Sequence, residues 1–272
     1  MDILHEIAER TRERVEERKR GLPLQELVGV IGVAAGSGSG GFPFEAALRS
    51  RSGLPSGSGG IAFICEVKRA SPSKGIIAED FPYIDIAKEY EAAGAAAISV
   101  LTEPYYFKGD DRYLREIADA VSVPLLRKDF TVDSYMIYEA KMLGASAVLL
   151  ICAILDKDTL AEYIAVANGL GLSALVEVHD EAEMEMAVDA GARIIGVNNR
   201  DLRTFEVDTG ISIRLRKLVP DGVVFVSESG IGTAEDVAVL RENGVDAVLV
   251  GETLMRAADK RRALDALRGI GK

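Results

Sequence analysis

The 272-residue chain predicts a TIM (β/α)8 barrel preceded by an N-terminal helical extension, and three observations carry that prediction. Eight short apolar runs recur after Gly60, separated by polar or amphipathic stretches. The runs are apolar almost throughout instead of alternating, as parallel strands covered on both faces require. Four of the intervening helical patterns end at a glycine suited to the left-handed position after a helix, and three of those junctions repeat an apolar-Gly-Ala phrase. Eight β-then-α units is the barrel number, whereas an open doubly wound sheet usually stops at about five to seven strands.

The elements follow in order. Residues 3–19 set Leu4, Ile7, Ala8, Thr11 and Val15 at helical spacing within a heavily charged segment, which predicts one amphipathic surface helix. Gly/Ser-rich tracts at 36–41 and 52–60 read as flexible loop, with a short apolar patch from Phe42 to Leu48 between them. Residues 1–60 are therefore expected to form an extension packed on the barrel, and 61–272 the barrel itself, in a single structural domain. Strands are expected at 61–67, 97–101, 123–127, 146–151, 172–178, 193–197, 222–227 and 246–250. Helices are expected at 85–93, 134–143, 181–190 and 234–243, ending at Gly94, Gly144, Gly191 and Gly244.

Composition narrows the function. A formal charge of −11, without blocks of Lys and Arg in the folded part, argues against nucleic acid or an anionic membrane as partner. No stretch reaches the roughly 20 uninterrupted apolar residues of a membrane span, and the charged N-terminus lacks the apolar core of a signal peptide. Cys65 and Cys152 sit inside apolar runs, as reduced buried thiols do, so a cytoplasmic setting is expected. No metal-ligand spacing occurs and GxGxxG dinucleotide geometry is absent, and a monomer is expected in preference to an obligate oligomer.

A barrel places its chemistry at the C-terminal ends of its strands. Six of the eight runs end in polar residues: Glu66 to Arg69, Arg127 to Asp129, Glu177 to His179, Asn198 to Asp201, Ser227 to Gly230 and Gly251 to Thr253. So many charges converging on one rim mean a functional site or a solvated salt-bridge cluster closing the barrel. Lys68, Lys128 and Glu177 come from runs one, three and five and face each other across the mouth. Apolar walls would lower a lysine pKa towards neutrality, and two lysines would lower that of the carboxylate between them, splitting acid and base roles. Ser229-Gly230-Ile231-Gly232 and Gly251-Glu252-Thr253 follow runs seven and eight, where barrels hold phosphate on backbone N–H groups. Glu252 suits an anion only if its side chain points away while its N–H serves. His179 faces the same way as Glu177, two residues before it. Tyr105-Tyr106-Phe107 is either rim packing or an aromatic wall for a ring-bearing substrate.

Taken together, Glu66–Gly75, Leu101-Thr102-Glu103 with Phe107-Lys108-Gly109, Arg127–Phe130, Leu175–His179, Gly196–Leu202, Ser227–Ile231 and Val250–Met255 resemble the indole-3-glycerol-phosphate synthase family of tryptophan biosynthesis, in order and across essentially the whole chain. The resemblance implies a carboxy-lyase acting on 1-(2-carboxyphenylamino)-1-deoxyribulose 5-phosphate without cofactor or metal. It implies Lys128 as the acid on the ketone oxygen, Lys68 as its assistant, Glu177 in the later dehydration, and Glu66 and Asn198 as orienting or proton-relaying groups. Ser229 and Arg200 would position the substrate, with Ser71 in the loop after strand one. Gly230, Gly251 and the Glu252 N–H would hold phosphate. Phe107 and the Phe42–Leu48 patch would enclose the anthranilate ring. Ala70 departs from the pattern, since some family members carry a lysine there. Phosphoribosylanthranilate isomerase, another phosphate-binding barrel, would use a Cys or Asp acid–base pair in place of two lysines and a glutamate, and a non-catalytic phosphosugar binder would lack the lysines.

Overall fold

The computed structural model describes residues 3–34, 41–50, 60–201 and 204–270, so most of both Gly/Ser-rich tracts lies outside the described residues. Eight parallel strands close on themselves: β1 (Ala62–Val67), β2 (Ala97–Leu101), β3 (Leu125–Lys128), β4 (Ala147–Ile151), β5 (Ser173–Val178), β6 (Ile194–Asn198), β7 (Val224–Glu228) and β8 (Ala247–Val250), with β8 pairing to β1. Each expected run is a strand. β3 begins two residues late because Pro124 has no N–H for the ladder, although its carbonyl still accepts from Ile98 (3.1 Å). At Gly222 a left-handed turn (φ 87°) delays β7 in the same way.

Nine helices surround the barrel: α4 (Tyr83–Ala92), α5 (Asp111–Ala118), α6 (Tyr135–Met142), α7 (Lys157–Gly169), α8 (Glu181–Asp189), α9 (Gly210–Arg216), α10 (Ala234–Glu242), α11 (Glu252–Arg256) and α12 (Lys260–Leu267), among the described residues. Before them stand α1 (Ile3–Gly21), α2 (Leu24–Ala34) and α3 (Pro43–Ser50). α2 was not expected: its glycines and valines are weak helix formers, and what fixes it is burial of Leu27 and Ile31 on Tyr135 and Met136 of α6.

The period-two alternation of strands divides the core in two. Ile64, Leu126, Leu149, Leu175, Val226 and Leu249 fill the barrel interior, while Phe63, Cys65, Ile98, Val148, Val176 and Phe225 pack outward on the helices. Phe44 and Leu48 of α3, both fully buried, plug the interior at the N-terminal ends of the strands, beside Ala62, Ala97, Ala147 and Ala247. Arg49 donates to Gly222 O (2.5 Å) and Arg193 to Glu45 Oε2 (2.8 Å), pinning the plug there. The Phe42–Leu48 patch therefore lies at the end opposite the polar mouth and encloses no substrate ring.

Alternation also corrects the expected rim. Lys128 points inward, so Arg127 and Asp129 point outward, into a buried ionic network that binds α1 to the barrel. Arg14 Nη2 donates to Asp129 Oδ1 (2.7 Å), and Thr102 Oγ1 donates to Asp129 Oδ2 (2.7 Å). Arg127 bonds Asp111 (2.8 Å) and Glu139 (3.3 Å), and Arg18 pairs with both of those carboxylates. Burial works against the Asp129 carboxylate, but Arg14, Arg127 and the Thr102 hydroxyl hold it below the ordinary range.

Breaking a buried pair strands one charge at a cost of about 3–5 kcal/mol, whereas an exposed pair contributes about 0–1 kcal/mol. Arg14→Met is therefore expected to lower stability by about 3 kcal/mol in urea denaturation. Lys157→Met, which removes the exposed Lys157–Asp189 pair, should leave the denaturation midpoint nearly unchanged. Equal losses in the two variants would contradict this account of α1 docking.

Candidate active site

A cavity of about 450 Å³ opens at the C-terminal ends of the strands. Its floor is built by the odd-numbered strands, each of which delivers one inward charged side chain: Glu66 from β1, Lys128 from β3, Glu177 from β5 and Glu228 from β7. Below them the interior is apolar, so these charges find their partners at the mouth, in one another and in neighbouring polar side chains.

Lys128 Nζ donates to Glu177 Oε2 (2.9 Å) and Glu228 Oε2 (3.0 Å). Burial alone would push its pKa down, but the two carboxylates outweigh burial and hold the ammonium well above the ordinary lysine range. This reverses the expected lowering, because the walls around Lys128 are acidic and not only apolar. Burial likewise opposes the Glu177 carboxylate, yet Lys128 and then His179 keep it below the ordinary range. Lys68 does not join Glu177: its Nζ lies 2.6 Å from Glu66 Oε1. Asn198, at the end of β6, donates from Nδ2 to Glu177 Oε1 (3.3 Å), while its Oδ1 accepts from Ser229 Oγ (2.9 Å) and the Arg200 N–H (3.1 Å). The amide is oriented by these three bonds.

Glu228 was not among the expected site residues. The signal was its place at the inward end of an odd strand, two residues after Val226, which matches Glu177 after Leu175. Its Oε1 has no hydrogen-bond partner among the described residues and occupies the space where a Cβ at Gly196 would stand, 2.2 Å away. Burial pushes the Glu228 carboxyl up to about 7; Lys128 opposes that rise, and Glu177 and Glu66 add to it.

The walls are apolar. Phe107 packs against Phe130 (6.2 Å between ring centroids), and Leu101, Ile151 and, from α1, Ile3, Leu4 and Ile7 line the same cavity. The apolar face of α1 thus serves the site as well as the scaffold, which amphipathic spacing alone did not show. Phe107 is positioned by Glu103, whose fully buried carboxylate accepts the N–H groups of Tyr105 (2.9 Å), Tyr106 (2.7 Å) and Phe107 (3.0 Å).

On the rim, Ser71 belongs to a small hairpin pairing Ala70–Ser71 with Gly75–Ile76. Arg200 lines the cavity with its guanidinium on Phe205 O (3.1 Å). The loops after β7 and β8 are laced together by Thr253 Oγ1, which donates to Ile231 O (3.0 Å). Gly230 is left-handed (φ 80°), and a Cβ there would strike Val207. Gly251 sits so close that a Cβ would lie 2.5 Å from Glu66 Oε1. The Glu252 carboxylate turns along α11 to accept from Arg256 (3.1 Å), and both residues line the cavity.

Comparison with known proteins agrees with this arrangement. The family model of indole-3-glycerol phosphate synthase matches residues 4–267. The indole-3-glycerol phosphate synthase of Ruminiclostridium cellulolyticum is 56% identical over 267 residues, covering 98% of this chain and 99% of its own length. That of Endomicrobium trichonymphae is 59% identical over 209 residues, 77% of this chain and 81% of its own. Among solved structures, 3-hexulose-6-phosphate synthase from Salmonella typhimurium superposes with a TM-score of 0.63 at 16% identity, covering 77% of this chain and 97% of that one. The tryptophan synthase complex of Pyrococcus furiosus supplies a chain with a TM-score of 0.57 at 13% identity, covering 78% and 98%. At those identities the shared property is the barrel. Sequence similarity across nearly the whole length establishes more: the chain belongs to the indole-3-glycerol phosphate synthase family.

Proposed function

We propose that this barrel converts 1-(2-carboxyphenylamino)-1-deoxyribulose 5-phosphate to indole-3-glycerol phosphate in the cytoplasm, with Lys128 as its central acid. The observation that carries the reading is the Lys128 ammonium clamped between Glu177 and Glu228 on an aliphatic floor. In ring closure the aryl carbon attacks the ketone carbon and the carbonyl electron pair moves onto oxygen. A fixed ammonium stabilises that charge and delivers a proton to it; a positioned acid contributes about 10²–10⁴-fold. Loss of the carboxylate as carbon dioxide returns its electron pair to the ring, and loss of the hydroxyl together with a proton from the adjacent ring methylene, as water, completes the indole.

The remaining residues fall into place around that step. Lys68, paired with Glu66, meets the anionic substrate and assists Lys128, and Glu66 and Asn198 orient the hydroxyls and relay protons. Glu177 acts in the dehydration. Ser71, Arg200 and Ser229 position the substrate, Phe107 covers the aromatic ring, and the N–H groups of Gly230, Gly251 and Glu252 take the phosphate. A small dianionic substrate fits an acidic chain that gathers lysines at one mouth. The two free, buried cysteines are in keeping with a reducing compartment.

Lys128→Ala is expected to reduce turnover by at least about 10³-fold while substrate still binds, read as indole fluorescence and as substrate titration. Wild-type indole formation would remove Lys128 from the acid's role. For Glu177→Gln the reaction should stall after ring closure, so rapid quench would recover a ring-closed intermediate; an unchanged steady-state rate contradicts that assignment.

Glu228 links the site to stability. Its folded-state pKa of about 7 lies above the ordinary carboxyl value of 4.5, so the folded protein binds the proton more tightly than the unfolded chain. The stability this confers is full below about pH 4.5 and is lost as pH rises through about 7. Glu228→Gln, which is neutral throughout, should melt higher than wild type by roughly a few degrees at pH 8, with the gap closing towards pH 5. Melting curves that stay parallel across that range would refute the raised pKa.

A further inference from the structure

His179 follows β5 and is one of two histidines in the chain, the other being His5 in α1. The chemistry above gives it no task. Its backbone N–H donates to Glu183 Oε2 (2.8 Å), and its Nδ1 lies 3.0 Å from the same oxygen. An ionised carboxylate only accepts, so Nδ1 carries a hydrogen and the ring orientation is fixed. Glu183 is itself held at the start of α8, where its N–H donates to the N-cap Asp180 Oδ1 (2.9 Å). That leaves Nε2 buried, without a hydrogen bond among the described residues, 3.5 Å from Glu177 Oε1. Glu228 on β7 also acts on the ring, the Cys152 thiol after β4 lies in the field of Glu177, Glu183 and Asp180, and Lys128 on β3 takes the other oxygen of Glu177. On the floor Glu66 pairs with Lys68 while Glu177 and Glu228 share Lys128, so carboxyl groups outnumber lysines three to two.

We propose that His179, clamped by Glu183, is a positioning residue that brings a third cation to this floor, holding the Oε1 side of Glu177 while Lys128 holds Oε2. This rests on the reading of Glu177 as the group that acts after ring closure. The surroundings favour the imidazolium: burial pushes His179 down, but the Glu183 bond and the Glu177 charge outweigh it and hold the ring above the ordinary histidine range. Reciprocally, His179 stands next to Lys128 among the charges that keep Glu177 ionised. Once the ring loses its proton at higher pH, Glu177 is gripped by charge from one side only.

The test is the pH dependence of kcat and KM in His179→Gln, together with imidazole NMR titration, where two histidines give two sets of signals. His179→Gln should lower kcat by about threefold to tenfold, leave KM within about twofold, and move the acid limb of the kcat profile up by about half to one pH unit. Glu183→Gln should move it the same way by less. In the NMR titration, Glu177→Gln should lower the pH at which the His179 ring loses its proton. A His179→Gln profile that overlays wild type after one scale factor overturns the proposal, since a merely structural role would give that result. Identical His179 titrations in wild type and Glu177→Gln overturn it without recourse to turnover. Undiminished turnover in Glu177→Gln would instead overturn the role given to Glu177, so the two failures are distinct.

Discussion

The Lys128 ammonium, 2.9 Å from Glu177 and 3.0 Å from Glu228, is the interaction on which the rest of the mouth depends. Three charges held above an apolar interior are each costly alone and tolerable only in the group. The positions of the other groups follow. Glu177 is held by Asn198 on its free oxygen, Asn198 by Ser229 and Arg200, and Glu228 by the space that a missing side chain at Gly196 provides. Two carboxylates sharing one lysine cannot both ionise freely, and the pair splits: Glu177 is kept charged and Glu228 rises to about 7. An acid and a base thus arise from one residue type on one floor.

The same strand that carries Lys128 carries the scaffold's strongest tie. Arg127 and Asp129 flank it in sequence and face the other way, into a network with Arg14, Arg18, Asp111 and Glu139. α1 is therefore anchored to the residue next to the central lysine, while its other end puts Ile3, Leu4 and Ile7 into the cavity wall. The N-terminal extension is part of the site in a physical sense: one helix carries both the docking charge and one wall of the pocket. α3 does the complementary job at the far end, filling the barrel with Phe44 and Leu48 so that the floor rests on packed side chains.

Conformational features confined to the loops serve the rim. Ser229 and Gly230 are both left-handed (φ 68° and 80°), turning the chain sharply beneath Val207, and Thr253 ties that turn to the loop after β8. Glu103 spends a fully buried carboxylate on three successive N–H groups to set Phe107. Each of these devices needs only a few residues.

Much of this was legible beforehand. Continuous apolar runs, their number and the glycine-ended helices determined the barrel, because parallel strands covered on both faces leave that pattern in any sequence. The gathering of Lys68, Lys128 and Glu177 at one mouth followed from strand ends, and the family from motifs spread along the chain. What the sequence left open depended on which groups meet. Whether Lys68 pairs with Glu66 or Glu177, whether Lys128 is pushed up or down, that Glu228 joins the floor, that α3 plugs the bottom and not the mouth, and that Arg127 and Asp129 leave the rim were decided only by closure of the barrel. The physical reason is range: periodicity is written by neighbours a few residues apart, whereas the charge on a buried group is set by partners as distant as Lys128 and Glu228, one hundred positions apart in the chain.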